Sequence, residues 1–394
     1  MLRFIIFAML SGLCITWDFS IVRPVSTSIF IDCYGAALLP YAWLAMIPLN
    51  LLIVSLYNYF VSRWGCLKVF LISTSVVIGV NIWAAFFLKE TASAPFVYFA
   101  FKDIYVLLMF QQLWSVIHSK IDFKRAKYLY GLFFAVGGVG SVIGSGMTGF
   151  LATSVGSQHL LLLTLPIYTC FILFYTLMLR EVEKIHITPS REVGGLALLY
   201  RSPPLQCILM LVVLMQMAST FLEYQFNTAI AEEYPIQDIR TAFTGRIFGV
   251  INFVTLFLQL AGSSLLVKFI GLRGGHLFIP GMLFVNTSLC LMIPSFNLFA
   301  YSYSTIKSFD HSIFRILTEM LYIPLKKEEK FQAKAIIDVF AYRTARAVAS
   351  LGVIFLQLIY FESFISWMTF GVIAIWMGIV IYYFSSYDPV YEQN

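Results

Sequence analysis

Four ionisable side chains recur at intervals of four in the last third of the chain: Lys307, His311, Arg315 and Glu319. On an α-helix each such step drifts only about 40°, so the four would form one stripe about 18 Å long. Asp310 flanks the stripe, within pairing reach of Lys307. Further on stand Asp338, Arg343 and Arg346, the two arginines about 60° apart on one helical face. Guanidinium groups hold phosphate oxygens two at a time, so an arginine pair in a cavity suits an anionic ligand. Two readings of these residues stay open. They line or gate a polar pathway and contact an anion, or they tie helices together, with the arginines neutralising Asp338 and Glu319.

Their cost comes from where they lie. The 394 residues are 60% hydrophobic and 12% charged, with 38 phenylalanines. Soluble domains average about 45–50% apolar and about 25% charged residues. A soluble enzyme, a disordered chain and a disulfide scaffold are all excluded by these figures. A polytopic membrane protein remains, and in a bilayer centre each ionisable group costs at least about 2.5–3.5 kcal/mol unless it faces a cavity or a partner.

Apolar runs between charges and turn signals predict twelve spans: 4–31, 36–62, 67–88, 94–117, 128–153, 158–179, 204–230, 242–267, 275–294, 297–324, 335–360 and 363–385. With the N-terminus inside, the cytoplasmic loops hold seventeen lysines and arginines and the opposite side only Lys89 and Arg240, as the positive-inside rule requires. The net charge of +6 follows from loops facing anionic lipid, and no nucleic-acid partner is expected. The basic, then apolar start reads as an uncleaved first helix, since no small-x-small cleavage site follows it.

Shifting the sequence on itself by 206 residues aligns Val61–Gly65 with Val267–Gly271, and a shift of 207 aligns Ala126-Lys127 with Ala333-Lys334. Residues 1–180 and 204–394 then form two six-helix halves joined by a cytoplasmic loop, 181–203. That is an all-α, major-facilitator-type architecture with its substrate site near the midplane between the halves. The first half places Asp18, Arg23, Lys102 and Asp103 within spans, and the second adds Glu223 and Arg246 to the residues above. Pro24 frees a backbone carbonyl, which fits either a wet pathway or a structural kink. Lys127 and Lys334 read as topology signals or as gate residues.

Other patterns carry less. The six cysteines and five histidines are scattered, without CxxC, HxxxH or HExxH spacing, so neither a metal nor a cofactor is expected. The run Gly137–Gly146 follows no strand, so it is not a dinucleotide loop; its Gly140-x-x-x-Gly144 spacing lets two helix backbones approach closely. No Ser/His/Asp set or pair of catalytic carboxylates can be assembled, so no enzyme is expected.

The residues Thr318-Glu319-Met320-Leu321-Tyr322-Ile323-Pro324-Leu325, then Lys334-Ala335-Ile336-Ile337-Asp338-Val339 with Arg343, resemble the signature of the ATP/ADP translocases, the nucleotide transporters of plastids and obligate intracellular bacteria. Arg23-Pro24, Gly35-Ala36 with Leu39-Pro40-Tyr41, Arg125-Ala126-Lys127 with Tyr130, Leu222-Glu223, Tyr234-Pro235 and Ala242-Phe243-Thr244-Gly245 extend the likeness in patches. The family's first-helix lysine and aspartate fall on Ser26 and Thr27. Its seventh-helix tryptophan and lysine fall on Phe226 and Asn227, and its tenth-helix lysine on Thr318. Its second basic position in the eleventh helix is Arg346.

The resemblance implies a secondary transporter that moves a nucleotide or related anion by alternating access, through exchange or with protons. It implies anion contacts at Arg23, Arg343 and Arg346, and gate or coupling acids at Glu223, Glu319 and Asp338. Asn227 and Arg315 complete the expected substrate contacts. Asp18, Lys127, Arg246, Lys307, Asp310, His311 and Lys334 are the remaining gate or coupling candidates. The expected setting is a bacterial inner membrane, with both termini cytoplasmic and a monomeric chain. Transport of a different small metabolite, or a scaffold that kept the fold without transport, are the alternatives.

Overall fold

The computed structural model describes residues 1–121, 123–182, 202–322, 337 and 341–387, with side chains for all of these except 123–128 and 261–267. No strand occurs among the described residues. The helices are α1 (Leu2–Tyr34), α2 (Leu39–Trp64), α3 (Cys66–Phe87), α4 (Ala94–Lys120), α5 (Phe123–Val155), α6 (Thr164–Arg180), α7 (Pro203–Glu233), α8 (Gln237–Phe257), α9 (Ser263–Met292), α10 (Phe296–Phe309), α11 (Arg315–Leu321), α12 (Tyr342–Leu358) and α13 (Ile365–Tyr387). Among the described residues ten helical stretches are long and apolar enough to cross a membrane. The α10–α11 stretch and α12 occupy the places of the tenth and eleventh expected spans. They fall outside those ten by length, since the described helices there have 14, 7 and 17 residues.

Two glycines matched by the 206-residue offset share a backbone state. Gly65 ends α2 at φ 79°, and Gly271 breaks α9 at φ 71°. Both lie in the left-handed region, where a residue without Cβ carries no steric penalty. A further difference from expectation concerns α8, which starts at Gln237 rather than 242. Arg240, expected in an outer loop, therefore sits in its first turn and is buried.

By compactness the chain forms two units, Met1–Thr188 with Ala231–Leu256, and Pro189–Ile230 with Phe257–Asn394. In the first, α1 is the hub against which α4, α5 and α6 pack. Lipid offers no hydrophobic drive between helices, so close packing and polar contacts must hold them. The Gly140-x-x-x-Gly144 reading is seen directly. A Cβ at Gly140 would strike the carbonyl of Leu13, and one at Gly144 the carbonyl of Trp17. Thr16 Oγ1 donates to Gly137 O at 2.7 Å across this seam. Pro24 withdraws the donor that would pair with Ser20 O, and Thr148 Oγ1 of α5 approaches that carbonyl at 3.4 Å. On its other face α5 meets α8, where Asn252 Nδ2 donates to Ser145 Oγ at 2.7 Å and a Cβ at Gly245 would collide with Gly149.

In the second unit α7 is held by side-chain amides and rings. Gln225 Nε2 donates to Thr369 Oγ1 of α13 at 2.7 Å, and Gln357 Nε2 of α12 donates to Tyr224 Oη at 2.9 Å. Phe226 stacks on Tyr303 of α10 at 4.5 Å between centroids.

Candidate functional site

Glu223 sits at mid-length of α7 and is 7% exposed. A bare carboxylate there would be costly, and two cations from neighbouring helices relieve it. Lys307 Nζ of α10 donates to Glu223 Oε2 at 2.9 Å, and Arg346 Nη2 of α12 reaches Oε1 at 3.5 Å. Their access differs: the Lys307 side chain is 10% exposed and that of Arg346 is 36%. The Lys307 ammonium also lies 5.6 Å from the Tyr303 ring centroid. Asn227, one turn beyond Glu223, donates its amide to the Glu223 carbonyl at 2.7 Å.

The expected four-residue stripe divides. Between α10 and α11 the residues Asp310–Phe314 form a π-turn. Its wider winding shifts the register, a device common at functional sites. Lys307 before the turn is buried, whereas His311, Arg315 and Glu319 lie on an exposed row. The shift also parts Asp310 from Lys307. Gln216 Nε2 of α7 donates to both Asp310 oxygens, at 3.0 and 2.9 Å, so the expected Lys307–Asp310 pair is replaced by Lys307–Glu223 and Gln216–Asp310. Gln259 Nε2 donates to the His311 carbonyl at 2.7 Å.

Arg315 and Glu319 line a cavity of about 130 Å³ together with Val212, Thr318 and Tyr342. The Thr318 hydroxyl is buried without a hydrogen-bonding partner. The cavity thus offers a guanidinium, a carboxylate, an aromatic ring and an unpartnered hydroxyl. Arg343 is half-buried on α12, one residue from Tyr342. Asp338 and Lys334 lie outside the described residues, as does the side chain of Lys127.

The other named residues belong to the first unit. Arg23 lies over the Phe248 ring of α8, 4.4 Å from its centroid. Exposed Arg246 donates through Nε to Gly149 O at 3.1 Å. Asp18 is buried, and the hydroxyls of Tyr105 and Tyr168 each donate to its Oδ2 at 2.8 Å. Near one end of α1, Asp32 binds Lys89 at 2.8 Å and Arg240 at 3.4 Å, while Arg240 also donates to Ser28 O at 2.8 Å.

Sequence reasoning missed the partners more than the charges. Gln216, Tyr105, Tyr168 and Tyr342 are unremarkable types in apolar runs, and only the packing brings them to a carboxylate or a cavity wall. Arg240 had a signal, since it stood almost alone on its side of the charge count. Among the described residues no group of three His, Cys, Asp or Glu side chains can hold a metal ion.

Ten long apolar helices among the described residues define a multi-pass membrane protein that holds buried paired charges and a polar cavity. Solved transporter structures share this fold. A bacterial homologue of the iron transporter ferroportin, in its inward-facing state, superposes with a TM-score of 0.72 at 10% identity, covering 97% of this chain and 99% of that one. The nucleoside transporter NupG gives 0.70 at 10% identity, covering 96% and 98%. At such identities these likenesses establish the fold alone, and it is the major-facilitator type expected.

The chain belongs to the TLC ATP/ADP transporter family, whose profile matches residues 96–393. The resemblance drawn from the tenth and eleventh spans is thereby borne out. The ADP,ATP carrier protein 1 of Chlamydia trachomatis (serovar D) is 24% identical over 192 residues, 43% of this chain and 36% of that carrier. The match thus spans little more than a third of that relative's length.

Proposed function

We propose that this protein is a secondary transporter that moves a nucleotide across the membrane by alternating access, in exchange for another nucleotide or with a coupling ion. Family membership supports this, as does the name of the carrier it matches. The observation that carries it to residues is the carboxylate of Glu223 shared by two cations of unequal access. A phosphate oxygen arriving from water can draw Arg346 away, because that guanidinium is partly exposed and presents paired donors. Lys307 stays behind and keeps Glu223 neutralised, so anion binding leaves no bare buried carboxylate. In this reading Arg343, on the same helix as Arg346, adds a second guanidinium, and the Arg315–Glu319 cavity with Tyr342 holds a polar ring. Asn227 orients the α7 backbone beside Glu223.

The topology that goes with this reading has twelve spans, two six-helix halves bounded as above, both termini cytoplasmic, and a monomer in a bacterial inner membrane. Asn227 and Ser26, standing where the resembling family has lysines, favour a second reading in which the cargo is a smaller anionic metabolite. Proteoliposomes loaded with ADP decide. Without any ion gradient, radiolabelled ATP enters loaded vesicles and not empty ones, and Arg346→Gln lowers the rate at least about tenfold, as expected for a lost charge-assisted contact. Absence of exchange with ATP, ADP and the other nucleoside triphosphates, with membrane insertion verified, would overturn nucleotide transport.

A further inference from the structure

We propose that Asp18 of α1 is the proton-binding group of this transporter, taking up and releasing one proton per transport cycle. This rests on the transport reading above and adds the coupling ion to it. Asp18 is 2% exposed. Its Oδ2 accepts hydrogen bonds from Tyr105 and Tyr168, while Oδ1 is buried and has no hydrogen-bonding partner. No lysine, arginine or histidine among the described residues forms an ion pair with it.

The groups around it explain why. From α4 come Tyr105 and Tyr98, and the Tyr98 hydroxyl is turned to Asn81 Oδ1 at 3.0 Å. Lys102, one turn before Tyr105, points its ammonium at the Phe99 ring, 3.4 Å from the centroid, and lies 3.9 Å from Asp103. From α6 comes Tyr168. The turn His159–Leu163 offers His159, whose ring lies against Phe86. On α1 itself the nearest titratable side chain is Cys14, one turn earlier. The α5 seam presents glycine, serine and threonine.

A carboxylate held by two hydroxyls, with one oxygen bare, has two protonation states within reach of each other. The hydroxyls steady the anion, and a proton on Oδ1 removes the charge that no cation balances. The step moves one proton between water and Oδ1, and no other bond changes. Glu223, by contrast, is ion-paired with two cations.

The test uses the purified full chain in proteoliposomes, with two readouts: ATP/ADP counterflow without a gradient, and ATP accumulation under an inwardly directed proton gradient. The wild type shows both, and its accumulation alkalinises the outside medium. Asp18→Asn keeps counterflow but loses gradient-driven accumulation at least tenfold. Accumulation retained in Asp18→Asn, or a wild type that shows counterflow but no gradient-driven accumulation, overturns the proton site and leaves nucleotide transport standing. A wild type with neither readout sinks the transport reading itself. Should Asp18→Asn fail to fold, Tyr168→Phe replaces it: the carboxyl remains with one donor fewer to its anion, and the pH profile of accumulation moves toward alkaline pH. An unmoved profile overturns the proposal.

Discussion

Two buried carboxylates sit on the long helices α1 and α7, and the molecule treats them in opposite ways. Asp18 and Glu223 lie one residue off the 206-residue offset that relates the two halves of the sequence. Glu223 is enclosed by Lys307 and Arg346, cations supplied by two different helices. Asp18 has two tyrosine hydroxyls and one oxygen with no hydrogen-bonding partner. The packing around them differs in the same sense. The first unit draws its helices together through backbone approaches at glycine, whereas the second spends charges and amides on α7. The lesson is that burial does not decide what an acid does. A cation beside it balances its charge, whereas hydroxyls beside it bind the carboxylate without balancing that charge.

Substitutions can break this contrast in graded steps. The largest effect is expected from Lys307→Met, which strips Glu223 of its closer partner. Breaking a buried pair costs about 3–5 kcal/mol, so the melting temperature of the purified protein falls steeply. The double variant Glu223→Gln/Lys307→Met recovers most of that loss, and additive losses would mean that the two do not pair. Next is Gly144→Leu, whose side chain meets the Trp17 carbonyl. Overpacking of about 1–3 kcal/mol is expected in the same melting experiment, with Gly146→Ala, where a Cβ meets nothing, as an indifferent control. Asp18→Asn should cost about 1–3 kcal/mol, less than Lys307→Met, because the amide oxygen still accepts from both tyrosines while its NH2 takes the place of the oxygen that has no partner. A collapse comparable to Lys307→Met would erase the distinction between the two acids. The smallest effect belongs to Lys89→Ala, within about 0.5 kcal/mol. Its ammonium is 42% exposed, and Asp32 keeps Arg240.

The contrast was only half legible in the sequence. Composition and charge bias required a polytopic helical protein, and the charges inside spans pointed to Asp18, Glu223, Lys307 and Arg346. Glycine spacing predicted a close helix approach at Gly140 and Gly144, and the structure supplies α1 as its partner. What spacing could not give is partner choice. Lys307 and Asp310, three residues apart, are natural partners on a regular helix, and a single π-turn reassigns both. Whether an acid meets a lysine or a tyrosine depends on how neighbouring helices are rotated, and one helix's periodicity carries no record of another's rotation. The start of α8 is hidden from the sequence for a related reason. Arg240 reads as a loop charge until its bonds to Ser28 and Asp32 are seen.

The central claim is that the cation pair on Glu223 receives the nucleotide's phosphates through Arg346. Ligand-induced stabilisation of the purified protein tests it most directly. At ATP about 100-fold above its dissociation constant the wild type should gain about 2.7 kcal/mol, read as a rise in melting temperature. Arg346→Gln should lose most of that rise while Lys89→Ala keeps it. Equal stabilisation of Arg346→Gln and wild type by ATP would contradict the account.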